Sequence, residues 1–129
     1  MTDLNAIGIV VADMAESIRY YRLLGLEVPE TPGDGHVEAT LPGGLRLMLD
    51  SEEVVRSFLP DWERSTGNQV SLAFELASPA EVDAVYARVT AAGFEGEKEP
   101  WDAFWGQRYA LLGDPDGVRI NLYAPLPQA

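Results

Sequence analysis

Apolar and polar positions alternate with a period of two in four short segments of the chain, which predicts four half-buried β-strands. One set of alternate positions in each segment is uniformly apolar and is expected to lie beneath helices: Ile7, Ile9 and Val11; Leu45, Leu47 and Leu49; Leu72, Phe74 and Leu76; Val118, Ile120 and Leu122. The opposite positions are mixed in polarity. A half-polar face on all four strands favours the lining of a cavity over a solvated surface.

Two further segments carry apolar residues at helical spacing: Met14, Ile18, Tyr21 and Leu24 in the first, and Val82, Val85, Tyr86 and Val89 in the second. The first follows Asp13 and stops at Gly25. The second has Ser78 as a predicted N-cap, Pro79 at its first position and Gly93 as a predicted C-cap. The insert Ser51–Asn68 predicts a short helix followed by a loop.

The chain repeats itself. "GLRLML" (44–49) and "GVRINL" (117–122) share one pattern, and each follows a turn signal, "LPGG" or "DPDG". In "DPDG" a hairpin turn is expected, since Pro115 pre-sets φ and Gly117 allows the left-handed region. With the strand-like runs "HVEATL" and "QRYALL", the order strand–helix–strand–strand–strand occurs twice. We therefore expect a single domain, 1–129, made of two modules at about 4–50 and 69–125 with the linker 51–68 between them.

Composition narrows the function classes. The 129 residues are 47% hydrophobic and 23% charged, as in ordinary globular proteins. The formal net charge of −12 argues against binding to nucleic acid or to an anionic membrane surface. The absence of cysteine removes disulfides, thiolate catalysis and cysteine-based metal sites. The apolar run 6–12 is too short for a signal peptide, so a cytoplasmic location is expected.

The opening "GIVVADMAESIRYYRLLGLEV" and the ending "DPDGVRINLY" resemble the vicinal oxygen chelate superfamily, which includes glyoxalases, extradiol dioxygenases and bleomycin-resistance proteins. The resemblance implies an α+β fold in which two βαβββ modules form a curved mixed sheet around a cleft. It also implies a homodimer, commonly with clefts built from both chains. The run "PWDAFWGQRYA" looks closest to the mitomycin-resistance, drug-binding branch.

Metal-using members of that superfamily carry histidine or glutamate ligands at four strand positions, which align with Ala6, Met48, Ser71 and Asn121. Alanine has no donor atom, and methionine, serine and asparagine are poor ligands for a catalytic divalent ion. Glu38 and Glu75 are expected to face the cleft, and two carboxylates hold a hard ion only weakly. His36, the one histidine, is interpreted as a plain surface residue. We therefore predict no metal and no cofactor.

Aromatic side chains suit a flat ligand, because stacking adds about 0.5–1.5 kcal/mol to the burial of area. Trp105 lies in the segment that resembles the ligand-stacking region of the drug-binding branch, and Gly106 beside it would allow close approach. Trp101 is expected to anchor a loop as scaffolding. The predicted ligand-binding residues are Trp105 as the wall, Gly106, Glu38 as an acceptor for an amine or amide, Met48, Asn121, Tyr109 through its hydroxyl, and Trp62 and Phe58 as a lid or interface packing.

The leading hypothesis is a metal-independent binding protein, and not an enzyme, that sequesters a planar antibiotic such as a mitomycin-like or bleomycin-like compound. Two alternatives stay open. One is a metal-dependent lyase or isomerase of the glyoxalase or dioxygenase type, using unexpected carboxylates. The other is a carrier of an endogenous metabolite. The acidic charge does not choose between a cationic drug and a neutral quinone.

Overall fold

A computed structural model describes residues 2–30, 33–65 and 69–128. The chain divides into two compact units, Met1–Ser65 and Thr66–Ala129. Each unit contains helix and a mixed sheet, so the predicted α+β class is confirmed. The proposed module boundaries and the linker stay predictions.

The first unit holds three strands and two helices in its described residues: β1 (Ala6–Val11), α1 (Met14–Leu23), β2 (His36–Thr40), β3 (Arg46–Ser51) and α2 (Glu52–Phe58). The strand order is β1-β3-β2, with β1 parallel and β2 antiparallel to β3. The sequence pattern predicts four strands here. The described residues of this unit form only three. The segment that follows α1 is held by a side chain, because the Arg22 guanidinium donates to the Val28 carbonyl at 2.5 Å.

The second unit contains the full predicted set: β4 (Ser71–Glu75), α3 (Pro79–Ala91), β5 (Gly96–Ala103), β6 (Gln107–Gly113) and β7 (Arg119–Pro125). The strand order is β4-β7-β6-β5, with β4 parallel to β7 and the other neighbours antiparallel. Trp101 lies within β5. The expectation that it anchors a loop is therefore wrong. Its segment pairs with β6 although it contains a proline and four charged residues, which disfavour strands.

The helices begin where the sequence predicts. Asp13 and Ser78 accept hydrogen bonds from the backbone N–H groups of Glu16 and Glu81, which caps α1 and α3. Ser51 caps α2 in the same way, and the described residues after α2, up to residue 65, form no further helix or strand. The short helix predicted in the insert is confirmed. None of the helices in the described ranges combines the length and apolar character needed to cross a bilayer.

Each sheet buries one face. In the first unit, Ile9, Val11, Leu47 and Leu49 are buried with Ile18 and Tyr21 of α1. In the second unit, Val82, Val85 and Val89 of α3 are buried together with Leu112, Ile120 and Leu122. Leu72 and Phe74 on the edge strand β4 are only half-buried. The opposite faces, here called the mixed faces, keep their side chains partly exposed, as the alternation predicts.

The "DPDG" segment forms the predicted hairpin turn between β6 and β7. The buried Asp114 carboxylate accepts from the backbone N–H groups of Asp116 and Val118 at 2.9 and 2.8 Å. Gly117 has a φ of +86°, which favours glycine. The turn thereby fixes the register in which Tyr109 of β6 meets Tyr123 of β7.

Candidate functional site

The hairpin between β5 and β6 presents aromatic side chains at its tip. The Gly106 N–H donates to the Ala103 carbonyl at 3.0 Å, and Gly106 has a φ of +92°. This left-handed backbone conformation favours glycine. The sequence analysis gives a different reason for Gly106, namely that it allows a ligand to approach the backbone closely. Phe104 and Trp105 in this turn are 96% and 50% exposed. The turn thus holds two large aromatic rings at the surface.

Trp105 is the centre of an aromatic cluster. Its ring packs edge to face against Phe104, Tyr109 and Trp101, with centroid distances of 5.1, 5.3 and 6.1 Å. Trp101 also packs against Tyr109 at 5.6 Å. Edge-to-face packing holds each ring in place and leaves part of the Trp105 surface open. Trp101 therefore belongs to the same cluster as Trp105, and its expected role as scaffolding stays a prediction.

A row of side chains crosses the mixed face of the second unit from one edge strand to the other. Trp101 on β5 is the register partner of Tyr109 on β6, and Tyr109 is the partner of Tyr123 on β7. Tyr109 and Tyr123 stack at 6.0 Å with an interplanar angle of 23°. Tyr123 in turn pairs with Glu75 on β4. We call Trp101, Tyr109 and Tyr123 the aromatic row; it ends at an exposed carboxylate.

Two polar side chains orient the tryptophans. The Trp105 indole N–H donates to the Gln107 side-chain oxygen at 2.8 Å, which fixes the rotation of the ring. The Lys98 ammonium group lies 3.9 Å from the centroid of the Trp101 ring, within the range of a cation–π interaction. The cluster is therefore preorganised by contacts within one unit.

A hydrogen-bonded triad lies beside the aromatic row. The Asn121 amide nitrogen donates to the Tyr109 hydroxyl at 3.0 Å and to the Ser71 hydroxyl at 3.4 Å. The Asn121 carbonyl oxygen is buried and has no hydrogen-bond partner in the described part of the chain. The structure thus brings together Asn121 and Tyr109, two predicted ligand-binding residues, on neighbouring strands.

The mixed face of the first unit carries a network of four charged groups. His36 Nδ1 lies 2.5 Å from an Asp50 oxygen, and His36 Nε2 lies 2.7 Å from a Glu38 oxygen. The other Glu38 oxygen accepts from Arg46 at 2.9 Å. Hydrogen bonds to Glu38 and then Asp50 raise the pKa of His36, and those from His36 and then Arg46 lower the pKa of Glu38.

This network changes the interpretation of two residues. His36 keeps 43% of its side chain exposed, but it is held between two carboxylates and is more than a plain surface residue. Both Glu38 oxygens already have partners, so its predicted role as an acceptor for a ligand would require exchange of one of them. Met48 lies on β3 between these groups, where its methyl group approaches Gly8. Their binding roles stay predictions.

Trp62 and Phe58 belong to the first unit. The guanidinium groups of Arg56 and Arg64 lie over the Trp62 ring, at 5.3 and 5.7 Å from its centroid, and Glu52 pairs with both arginines. The Trp62 ring thus makes cation–π contacts with two arginines. Phe58 at the end of α2 is 65% exposed. Their predicted role as a lid or as interface packing stays a prediction.

A family model described as the glyoxalase/bleomycin resistance protein/dioxygenase superfamily matches residues 3–122. The chain belongs to this superfamily. No curated protein matches the chain in sequence at a significant level.

Solved structures of the superfamily agree with this fold. A glyoxalase/bleomycin resistance protein/dioxygenase from Nocardioides is 26% identical over 100% of this chain and 87% of its own, with a TM-score of 0.75. A family enzyme from Burkholderia phytofirmans is 20% identical, with a TM-score of 0.83 and coverage of 97% and 100%. A glyoxalase-related enzyme from Fulvimarina pelagi is 18% identical, also with a TM-score of 0.83, over 96% and 88%. The last two similarities establish the fold alone.

The four positions aligned with superfamily metal ligands do not fit a catalytic divalent ion. Ala6 contributes no donor atom, and the Met48 thioether and the neutral oxygens of Ser71 and Asn121 are poor ligands for a catalytic divalent ion. Among the described residues, no group of three or more His, Asp or Glu side chains is arranged to hold a metal.

Sequence reasoning missed three contributors to the cluster: Trp101 as a cluster member, Gln107 and Lys98. Alternation along the last strand places Tyr123 on the same face as Asn121, but its stacking on Tyr109 depends on the pairing of β6 with β7. Only the strand register, which the sequence pattern does not contain, places these side chains in one row.

Proposed function

We propose that this superfamily member binds a small planar molecule and releases it chemically unchanged, with Trp105 as the stacking wall. The observation that carries the proposal is the Trp105 ring, half exposed and held by three aromatic neighbours and by Gln107. An aromatic surface that is already ordered loses little entropy when a flat ligand stacks on it. A mitomycin-like or bleomycin-like antibiotic is the proposed ligand class.

The polar groups beside the cluster support binding over catalysis. Asn121, Tyr109 and Ser71 form a neutral network on the mixed face, and neutral amide and hydroxyl groups orient a ligand without activating a nucleophile. The first unit's histidine is paired with carboxylates on both ring nitrogens. It therefore lacks a free nitrogen with which to accept a proton from a substrate.

A homodimer in the cytoplasm is part of the proposal. The dimer is supported by the resemblance of the sequence to dimeric superfamily members and by the exposed apolar side chains of Phe58 and Phe104. The location agrees with the absence of cysteine from the sequence. Sedimentation analysis of the full chain should give the mass of two copies, whereas a monomer at micromolar concentration would contradict this part.

Native mass spectrometry against a panel of planar antibiotics tests the proposal. We expect one ligand per chain for at least one compound, and recovery of that compound with its mass unchanged. A recovered compound of altered mass would indicate an enzyme, and a panel without any adduct would reject the proposed ligand class.

A further inference from the structure

The pairing of β5 with β6 brings Lys98 and Trp101 to the same face of the sheet. Residues three apart on a regular strand point to opposite faces. Here two register shifts interrupt β5, and Lys98 is paired with Leu111 of β6. Trp101 is paired with Tyr109, which is two residues from Leu111 and shares its face. The shifts therefore place a lysine on the mixed face beside the aromatic row, and such irregularities are a common means of redirecting a side chain.

The charge of the Lys98 ammonium group is available to a ligand. The group lies 3.9 Å from the centroid of the Trp101 ring, and within the described ranges it makes no ion pair and donates no hydrogen bond. Both arginines of this sheet, Arg108 and Arg119, are in contrast paired with carboxylates. An acidic ligand can therefore reach Lys98 without breaking an ion pair.

The two glutamates that flank Lys98 are directed elsewhere. Glu97 is the partner of Arg119, at 2.7 Å. Glu99 lies towards α3, where burial and then the Glu99 charge raise the pKa of the Tyr86 hydroxyl. The positive charge of Lys98 is thus not neutralised by its neighbours in the sequence.

Neutral groups beside the aromatic row offer protons as well. The Asn121 amide nitrogen donates to the hydroxyl oxygens of Tyr109 and Ser71, at 3.0 and 3.4 Å. Each hydroxyl keeps its own proton, for which the described part of the chain provides no acceptor. These hydroxyls favour a ligand that carries acceptor oxygens, as a carboxylate or an ionised phenol does.

The negative charges of the molecule lie too far away to oppose an acidic group beside Lys98. The formal net charge is −12, but charges further apart than the Debye length of about 8 Å are largely screened. Glu75, an exposed carboxylate of the mixed face, lies on β4, at the opposite edge of the sheet from β5. The three strand spacings between them, of about 4.8 Å each, exceed that length.

We propose that the ligand is a planar anion, whose ring system stacks on the open part of the Trp105 ring and whose acidic group pairs with Lys98. Trp101 is a neighbour of both, because its ring centroid lies 6.1 Å from that of Trp105 and 3.9 Å from the Lys98 nitrogen. An acidic group directed towards Trp101 is therefore within reach of the flexible lysine side chain. This inference rests on the proposed function and narrows its planar ligands to those that carry an acidic group.

A matched pair of probes tests the inference: anthracene-2-carboxylate, a planar anion at neutral pH, and anthracene-2-carboxamide, its neutral counterpart of the same shape. Equilibrium dialysis measures both dissociation constants for the wild type and for Trp105→Ala, Lys98→Met and Lys98→Arg. Arg88→Met is the control, because it also removes one exposed positive charge of the same unit but lies on α3, which packs on the other face of the sheet.

The carboxylate should bind the wild type about fivefold more tightly than the carboxamide, since an exposed charge pair contributes modestly. Lys98→Met should remove this preference, whereas Lys98→Arg and Arg88→Met should retain it. Trp105→Ala should weaken the binding of both probes.

The possible failures are distinguishable. If Trp105→Ala weakens both probes but Lys98→Met leaves the preference in place, or if the wild type shows no preference, the charge assignment is wrong and the stacking site stands. If Lys98→Met removes the preference but Trp105→Ala changes neither constant, the acidic group binds without stacking, which contradicts this inference and the proposed function. If neither probe binds more tightly than millimolar, both fail as well.

Discussion

At the scale of single residues, Trp105 depends on its neighbours for its orientation. The Gln107 side-chain oxygen accepts the indole N–H, and Gln107 itself begins β6, so a strand positions the ring. Three aromatic side chains contact the ring in addition. A ring oriented in this way offers a defined surface to a ligand before the ligand arrives.

Gln107→Leu should weaken the binding of a planar ligand about threefold to tenfold while Trp105 remains present. The substitution keeps the size of the side chain and removes the acceptor, whose hydrogen bond is worth about 1 kcal/mol. Calorimetric titration measures the affinity, and time-resolved fluorescence anisotropy measures the mobility of the indole. Unchanged affinity together with unchanged anisotropy would show that Gln107 does not position Trp105.

The stability contribution of His36 should depend on pH. Its folded-state pKa lies above the ordinary value of 6.5, because the protonated ring donates to Glu38 and Asp50. Its contribution is therefore full below pH 6.5 and is lost as the pH rises through the folded-state pKa. The lowered pKa of Glu38 keeps that partner ionised at mildly acidic pH.

Urea unfolding of the wild type and His36→Gln at pH 6 and pH 9 measures this effect. The difference in free energy of unfolding between the two proteins should be larger at pH 6 than at pH 9. A difference that is equal at both values would mean that the His36 pairs contribute nothing through protonation.

At the scale of elements, packing of α3 on β5 requires a residue without a side chain. A Cβ atom at Gly96 would lie less than 3.0 Å from side-chain atoms of Tyr86 and Thr90, both on α3. Tyr86 is partly buried there, which raises the pKa of its hydroxyl. Gly96 thus allows the helix to approach the edge strand that carries Trp101.

Gly96→Ala should lower the free energy of unfolding by about 1–3 kcal/mol, because the helix must shift to admit the methyl group. Gly113→Ala on β6 is the matched control, since a Cβ atom there meets nothing closer than the Glu95 carboxylate at 4.0 Å. Thermal and urea unfolding measure both. Equal, small effects of the two substitutions would contradict the close approach.

Some secondary-structure elements could be predicted from the sequence, and others could not. Caps and turns are local, so the start of α1 after Asp13, the Ser78 cap and the "DPDG" hairpin were predicted correctly, whereas the Ser51 cap was not identified. The strand β5 was not recognised at Trp101, because "GEKEPWDA" has no alternating pattern and its pairing with β6 contains register shifts. The site was predicted at Trp105 from resemblance, but the aromatic row and its end at Glu75 follow from strand pairing, which no local pattern encodes.

At the scale of the whole molecule, membership of the superfamily does not determine the chemistry. The fold provides two units with mixed faces, and the positions aligned with metal ligands carry Ala6, Met48, Ser71 and Asn121. Two of these positions are instead joined in a hydrogen-bonded triad beside the aromatic row. The same fold therefore carries a row of aromatic side chains beside positions where metal-using relatives would place metal ligands.

Protein purified without chelator should contain far less than one Mn, Fe, Ni or Zn ion per chain by elemental analysis. The reason is the donor set, because no three His, Asp or Glu side chains among the described residues are arranged to hold one metal ion. One tightly held ion per chain would contradict this expectation and favour a metal-dependent lyase or isomerase.

The central claim is that a planar ligand stacks on Trp105, and its most direct test is the dissociation constant of such a ligand for the wild type and Trp105→Ala. Tyr86→Phe is the control, because it changes an aromatic side chain of the same unit that lies on α3, outside the aromatic row. We predict a loss of affinity of about tenfold or more for Trp105→Ala, equivalent to about 1.4 kcal/mol, and no change for Tyr86→Phe. Equal affinities of the wild type and Trp105→Ala would contradict the claim.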